Sequence, residues 1–346
     1  FSILIAALCL CLTGCGKQIT EAAAQIFAMD TVMEVTAYGE HAEQAVKYTE
    51  KRIEELENRL SRTKAHSLVS GLNRDGSIRH LTYDYWNLIA RAKEYRDATN
   101  GAFDITIAPI MDAWGFTGDQ FRVPEQSELN ELLKHVNSDE IQIQEEPAHS
   151  VTLGEGQAID LGGIAKGYTS DWVEQTFRAN GIESGKISLG GNVFVLGGKP
   201  DGSDWRVGIK DPRNESGLAA ILSLRDAYAI TSGGYERYFE ENGKTYHHII
   251  DPSTGYPADS GLLSVTVVAA DNGPDWAGAG NGAMCDAFST ALFVMGEEQA
   301  LDFWRNGGYD FDLVLVTEDG RVVITAGLAD RLEEVKDSGY TYETVS

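Results

Sequence analysis

Residues 157–168 read QAIDLGGIAKGY, and three local signals follow one another within those twelve positions. Residues 158–161 have the character of the end of a buried strand carrying one inward acid, Asp160. Gly162 and Gly163 then allow a sharp turn and a close approach to a ligand, with no Cβ in the way. From Ile164 the apolar spacing changes to that of a helix: Ile164, Tyr168 and Trp172 recur at i,i+4, as do Val173 and Phe177, and Asn180-Gly181 stops the run. A strand, a glycine turn and a helix N-terminus together form an anion site, because free N–H groups and the helix dipole point outward there. Lys166 places a cation in the first turn.

Composition narrows the field. With 346 residues, 42% hydrophobic and 9% aromatic, the chain can bury a sizeable core. Its formal net charge of −25 repels nucleic-acid phosphates, so DNA and RNA are excluded as expected partners. An anionic ligand must therefore be drawn in by local groups or a divalent cation. Residues 1–12 are almost wholly apolar and too short to span a bilayer, which suits the core of a signal peptide. The following Leu12-Thr13-Gly14-Cys15 resembles a bacterial lipobox, in which Cys15 becomes the lipidated first residue of the mature protein. No initiator Met or basic segment precedes the run, so the expectation is a leader truncated at its start. Of four cysteines only Cys285 lies beyond this segment, leaving no intrachain disulfide for the mature domain.

Along the chain, residues 1–14 are assigned to the leader, 15–25 to the lipidated Cys and a tether, and 26–340 to one mixed α+β domain. Residues 26–38 (IFAMDTVMEVTAY) have a strand's content, and 41–62 form an amphipathic helix with Ala42, Ala45, Val46, Ile53, Leu56 and Leu60 on one face. Residues 60–73 (LSRTKAHSLVSGLN) read as a polar loop, and 85–99 as a helix. In 101–116 (GAFDITIAPIMDAWGF) Asp104 and Asp112 interrupt an apolar stretch; each is exposed or meets a specific partner, because a buried unpaired carboxylate is costly. A strand pair is expected in 140–152, two strands flank Gly190-Gly191, and strands cover 205–213, 218–231 and 262–270. Helices are expected at 285–295 and 297–306, then a hairpin around Asp319-Gly320.

Two further constellations carry chemistry. Asp286 and Thr290 stand at i,i+4, so a carboxylate and a hydroxyl share one helix face; with a phosphate opposite, they suit a hard, oxygen-seeking cation such as Mg²⁺. His247 and His248 are adjacent, and in a strand at most one of them addresses a given site. A histidine beside a phosphate is a natural general base for a hydroxyl nucleophile. No HExxH or Cys/His cluster points to zinc, and Gly154-Glu155-Gly156 precedes the central motif, so it is no dinucleotide fingerprint.

As an ordered set, AMDT, LSRTKAHSLVSGLN, GAFDIT-APIMDAWGF, IDLGGIAKGY, SLGGN, TSGGYERYF, HHIIDPSTGYP and DAFSTAL resemble the ApbE family, the FAD:protein FMN transferases, over residues 27–325. The resemblance implies a T-fold-like, single mixed α/β domain of α+β class behind a lipoprotein signal peptide. It implies that FAD is the substrate, with Met29, Ala102, Phe103 and Asp104 lining its site, Asp160 and Lys166 contacting it, and Ile250 offering a backbone contact. Mg²⁺ is then held by Asp286, Thr290 and a carbonyl in the glycine turn, that of Gly163, and His248 matches the base. The implied reaction passes FMN to a Thr or Ser hydroxyl of an acceptor protein with a DxxTGAT-like motif and releases AMP. A lipid on Cys15 would hold the enzyme on the extracytoplasmic side of a bacterial membrane. Three features depart from the pattern: Thr63 stands where the family often has an aromatic, Asp30 where many relatives carry glycine, and the loop 271–283 is longer than in compact members. Two alternatives share the motifs: a Mg²⁺-dependent FAD pyrophosphatase giving FMN and AMP, and a surface lipoprotein that only binds flavin.

Overall fold

The computed structural model describes residues 20–118, 120–271, 273 and 280–346; the leader, Cys15 included, lies outside the described residues. The described chain opens with a hairpin, β1 (Glu21–Ala28) and β2 (Thr31–Tyr38), then α1 (Ala42–Leu60), α2 (Leu68–Asp75), β3 (Ser77–Arg79) and α3 (Tyr83–Ala98). A 3-10 turn at Ile105–Ile107 leads into α4 (Ala108–Trp114) and α5 (Gln126–Leu132), followed by β4 (Gln142–Gln144), β5 (Ser150–Thr152) and α6 (Ala165–Ala179). Next come β6 (Ser184–Leu189), β7 (Asn192–Leu196), β8 (Trp205–Lys210), β9 (Leu218–Leu224) and β10 (Ala227–Gly233). A small hairpin of β11 (Tyr238–Glu241) and β12 (Lys244–His247) precedes β13 (Leu262–Ala270) and α7 (Asn281–Asn306). Last are β14 (Asp312–Thr317), β15 (Arg321–Thr325), β16 (Leu332–Glu334) and β17 (Thr341–Val345).

One nine-stranded sheet, in the order β1-β2-β6-β7-β10-β13-β14-β15-β17, organises the molecule. It is antiparallel except where β17 runs parallel to β15. Period-two alternation explains why it is covered on both faces. In β14, Leu313 and Leu315 join the main core with α1, α3, α6 and α7. Val314 and Val316 point the other way, into a second core closed by β8 and β9. A third cluster, of Ile110, Trp114, Phe116, Leu129 and Ile250, sits under the β11–β12 hairpin and packs against its Phe239 and Tyr246.

Five expectations change. Residues 26–38 are two strands, because Met29 and Asp30 adopt φ of +50° and +59° and turn the chain back on itself. The Met29 N–H is tied down at 3.1 Å by the Glu57 carboxylate on α1. The first strand also begins at Glu21, inside the segment expected to be a tether, since its whole length pairs with β2. The polar loop 60–73 contains α2, started by Ser67, whose side chain accepts the Ser70 N–H, and stopped by Gly76 at φ +70°. Residues 158–161 are not a strand. Their backbone is satisfied by the Asn73 amide, which donates to Ile159 O at 2.8 Å and accepts Ile159 N–H at 2.7 Å, and by one bond from Asp160 N–H to Ile105 O. Finally, α7 starts at Asn281, earlier than the expected 285, and bends at Gly296 (φ +78°), where the sequence ends one helix and begins another.

Candidate active site at the crossing of two helices

Gly162 and Gly163 turn the chain into α6, and the third residue of that helix, Gly167, lies directly against α7. A Cβ at Gly167 would stand 2.1 Å from the Gly282 carbonyl oxygen and 2.6 Å from Asp286 Cβ, so only glycine permits the crossing. The closeness has a chemical result. The Gly167 N–H, which has no partner within its own helix, donates to Asp286 Oδ2 at 2.8 Å. The glycine motif and the distant Asp-x-x-x-Thr pair therefore meet, as the sequence expectation requires.

Asp286 is only 3% exposed. Burial pushes its carboxyl above the usual carboxylate range, while the Lys166 ammonium, the Gly167 N–H and the Asn192 amide favour the ionised form and pull it back. Thr290 Oγ1 lies 3.1 Å from Ser232 Oγ, which also reaches Ser289 Oγ at 2.8 Å. A Cβ on Gly163 would be 3.5 Å from Thr290 Oγ1 and 3.1 Å from the Phe103 ring, so the bend, the threonine and the ring adjoin. Asn192 is fully buried beside Asp286 and acts on its carboxylate, although among the described residues neither amide atom makes a hydrogen bond of good geometry. Among the described residues no cluster of three or more His, Cys, Asp or Glu is placed to hold a metal. The oxygens gathered here are instead those of one carboxylate and of hydroxyls, with the Gly163 main chain adjoining Thr290. That set fits a hard cation which leaves the rest of its shell to phosphate and water.

The two histidines separate cleanly. His247 uses both ring nitrogens internally: Nε2 faces the Ala258 carbonyl at 3.1 Å, and Nδ1 accepts the Ile249 N–H at 3.3 Å. Among the described residues His248 uses one, with Nδ1 at 3.1 Å from the Arg237 carbonyl. A carbonyl can only accept, so the proton sits on Nδ1 and Nε2 keeps its lone pair. Burial, followed by the nearby Lys166 ammonium, lowers the His248 pKa to about 4, so the ring is neutral at pH 7. A neutral imidazole with one open nitrogen is the form a general base needs.

Other expected residues divide. Asp160 caps the bend, its Oδ1 accepting the Gly162 N–H at 2.8 Å. Its Oδ2 pairs at 3.3 Å with Arg62, which also reaches Asp112 and Thr117 at 2.7 Å. An open cavity of about 710 Å³ lies against Asp112 and Thr117, within the size range of small-molecule sites. Lys166 leans toward the Gly190 carbonyl at 3.5 Å, and Met29 packs near α6, with its sulfur 3.9 Å from Thr169 Oγ1. Asp104 differs from its neighbour Phe103: its carboxylate accepts from Thr106 N–H and Oγ, from Ser138 N–H and Oγ, and lies 3.6 Å from Arg96 Nε. That carboxylate holds its own loop together. Ala102 is half-buried against the main core, and the Ile250 side chain belongs to the third cluster, beside an isolated bridge to Pro257. Sequence reasoning singled out neither Arg62, Ser232 nor Asn192. Each lay inside a quoted segment, but its partner is far away in the chain.

Comparison with known proteins gives a consistent picture. The model of the ApbE family matches residues 29–313. The FAD:protein FMN transferase of Treponema pallidum is 31% identical over 307 residues, covering 84% of this chain and 82% of its own. That of Klebsiella pneumoniae is 33% identical over 294 residues, covering 83% and 86%. Among solved structures, the ApbE protein of Thermotoga maritima superposes with a TM-score of 0.78 at 30% identity, covering 92% of this chain and 97% of that one. The apo form of the flavinyl transferase ApbE of Pseudomonas stutzeri gives 0.74 at 27% identity, covering 87% and 92%.

Proposed function

The chain belongs to the ApbE family, and from that premise we propose that it transfers FMN from FAD to a Thr or Ser hydroxyl of an acceptor protein. In this reading the FAD pyrophosphate lies over the glycine bend, where Lys166 and the first N–H groups of α6 offset its charge. Phe103 and Met29 supply apolar surface for the flavin end. His248 Nε2 takes the proton of the acceptor hydroxyl as the oxygen bonds to the FMN phosphorus. The bond between the two phosphoryl groups breaks at the same centre, and AMP leaves with its electron pair. Asp286, Thr290 and the Gly163 carbonyl would hold Mg²⁺. The chemistry such an ion supplies is withdrawal of charge from the phosphate oxygens. Positioning and electrostatics carry most of the rate, as in phosphoryl transfer generally.

One observation carries this reading: Asp286, 119 residues beyond Gly167, accepts that residue's N–H at 2.8 Å beside the glycine bend. The test is incubation with FAD, Mg²⁺ and a peptide bearing a DxxTGAT motif. Flavin fluorescence on the peptide, together with AMP, is expected; free FMN alone would make the protein a pyrophosphatase instead. Asp286→Ala is expected to keep the fold and lose turnover, and unchanged AMP release by that variant would remove Asp286 from the machinery. For location, Leu12-Thr13-Gly14-Cys15 supports a lipid anchor on Cys15 facing away from the cytoplasm. Among the described residues no helix is long and apolar enough to cross a membrane. Metabolic labelling with a fatty acid, lost in Cys15→Ala, would check the anchor.

A further inference from the structure

Among the described residues neither α6 nor α7 begins with a capping side chain of its own: Ile164 and Gly280 occupy the cap positions, without a side-chain capping bond. The acceptors come from the opposite helix. Asp286 of α7 takes the Gly167 N–H of α6 at 2.8 Å. In return, Asp171 of α6 takes three N–H groups from the start of α7: Gly280 at 2.9 Å, Gly282 at 2.8 Å and Ala283 at 3.0 Å. The Tyr228 hydroxyl also supports the Asp171 carboxylate. Asp171 is 3% exposed. The guanidinium further along α6, that of Arg178, is engaged with Glu174 and Asp271. Backbone N–H groups and a phenol thus stabilise a buried carboxylate, and burial still pushes it up to about 7.

A cap placed on the neighbouring helix does something a local cap cannot. A serine or aspartate at position 280 would satisfy the Gly282 or Ala283 N–H while leaving α7 free to slide or rotate against α6. With the acceptor on α6, both N–H partners and carboxylate are fixed across the crossing. A Cβ on Gly282 would stand 2.6 Å from Asp171 Oδ1 and 2.4 Å from the Gly167 carbonyl, so the contact leaves no slack. Asp286 follows Ala283 by three residues, one turn along the same helix.

We propose that Asp171 is a positioning residue for the transfer reaction: by clasping the first turn of α7 it fixes the depth and rotation at which Asp286 and Thr290 meet the glycine bend. This rests on the reading of Asp286 as a cation ligand. The test measures Mn²⁺ affinity of the purified protein by electron paramagnetic resonance without FAD, and FAD affinity separately in EDTA. In Asp171→Ala, Mn²⁺ affinity is expected to fall roughly tenfold or more, as when a group orienting a metal ligand is removed, with FAD affinity in EDTA changed less than twofold. Asp171→Asn, which keeps one acceptor oxygen, is expected to recover part of the loss, and it serves alone if the alanine variant does not fold. Leu328→Ala, in the core on the far side of the sheet, is the control: it should lower the melting temperature and leave Mn²⁺ affinity unchanged. Wild-type Mn²⁺ affinity in both Asp171 variants, or an equal loss in Leu328→Ala, overturns the proposal. Wild-type affinity in Asp286→Ala overturns the ligand reading beneath it, whereas loss in Asp286→Ala with none in the Asp171 variants overturns the clasp alone.

Discussion

At His248 the carbonyl of Arg237 holds the Nδ1 proton, and the open Nε2 is what the proposed base requires. His248→Ala is expected to slow flavin transfer by about 10²- to 10⁴-fold, the usual contribution of a positioned base, with FAD binding retained. Transfer at the wild-type rate would reduce this residue to a structural one. The depressed pKa sets a sign as well. An imidazole that titrates at about 4 in the fold and at 6.5 when free stabilises the fold fully above pH 6.5. That contribution is lost as the pH falls toward 4, because the unfolded chain takes up the proton first. For catalysis, the acid limb of kcat/KM is therefore expected well below pH 6; a limb centred near 6.5 would contradict the half-buried, neutral ring. The sequence could say only that at most one of the two histidines faces the site. The choice rests on carbonyls eleven residues away from each, Arg237 for one and Ala258 for the other, and no local pattern records those partners. Asp104 teaches the same lesson: its cost when unpaired was legible, whereas Ser138, 34 residues on, was not.

Elements with a strong period were read well, and those held by unusual partners were not. Helices α1 and α6 follow from their apolar spacing, because each buries a regular face. Residues 158–161 failed for a definite reason: an apolar run suggests a ladder, but here one asparagine side chain, Asn73, substitutes for the neighbouring strand. The helix α2 was hidden by a polar composition that Leu68, Val69 and Leu72 interrupt only on one face. That Asp286 meets the glycine bend was implied by the family resemblance, but nothing in GGIAKGY or NGAMCDAF shows that Gly167 and Gly282 are the residues that touch. That contact makes a sharp prediction. Gly167→Ala puts a methyl group 2.1 Å from the Gly282 carbonyl, so the helices must part. Overpacking of this kind costs about 1–3 kcal/mol, occasionally more, and denaturant unfolding should show it. Gly181→Ala gives the contrast: no atom lies within 4 Å of an added Cβ there, and its cost comes only from holding φ at +69°.

For the molecule as a whole, class and charge were readable, and topology was not. Alternating strands and amphipathic helices announce a mixed α+β domain, but the sheet order sets β2 against β6 and β10 against β13 across long intervening stretches. Only the hairpin pairs among them have sequence signals. The net charge of −25 acts at this scale on an anionic dinucleotide. Raising ionic strength from about 10 to 150 mM shortens the screening length from about 30 to 8 Å, so FAD association measured by stopped flow is expected to quicken with salt. A rate that falls with salt would show that the Lys166 and Arg62 side of the molecule, rather than its overall field, governs approach. At the centre of this charged body, Gly167 and Gly282 press main chain on main chain, with no methyl group between them to act as a cushion. Such a joint does not breathe by rotamer changes. The crossing therefore serves as a fixed datum against which the side chains of the two helices are set.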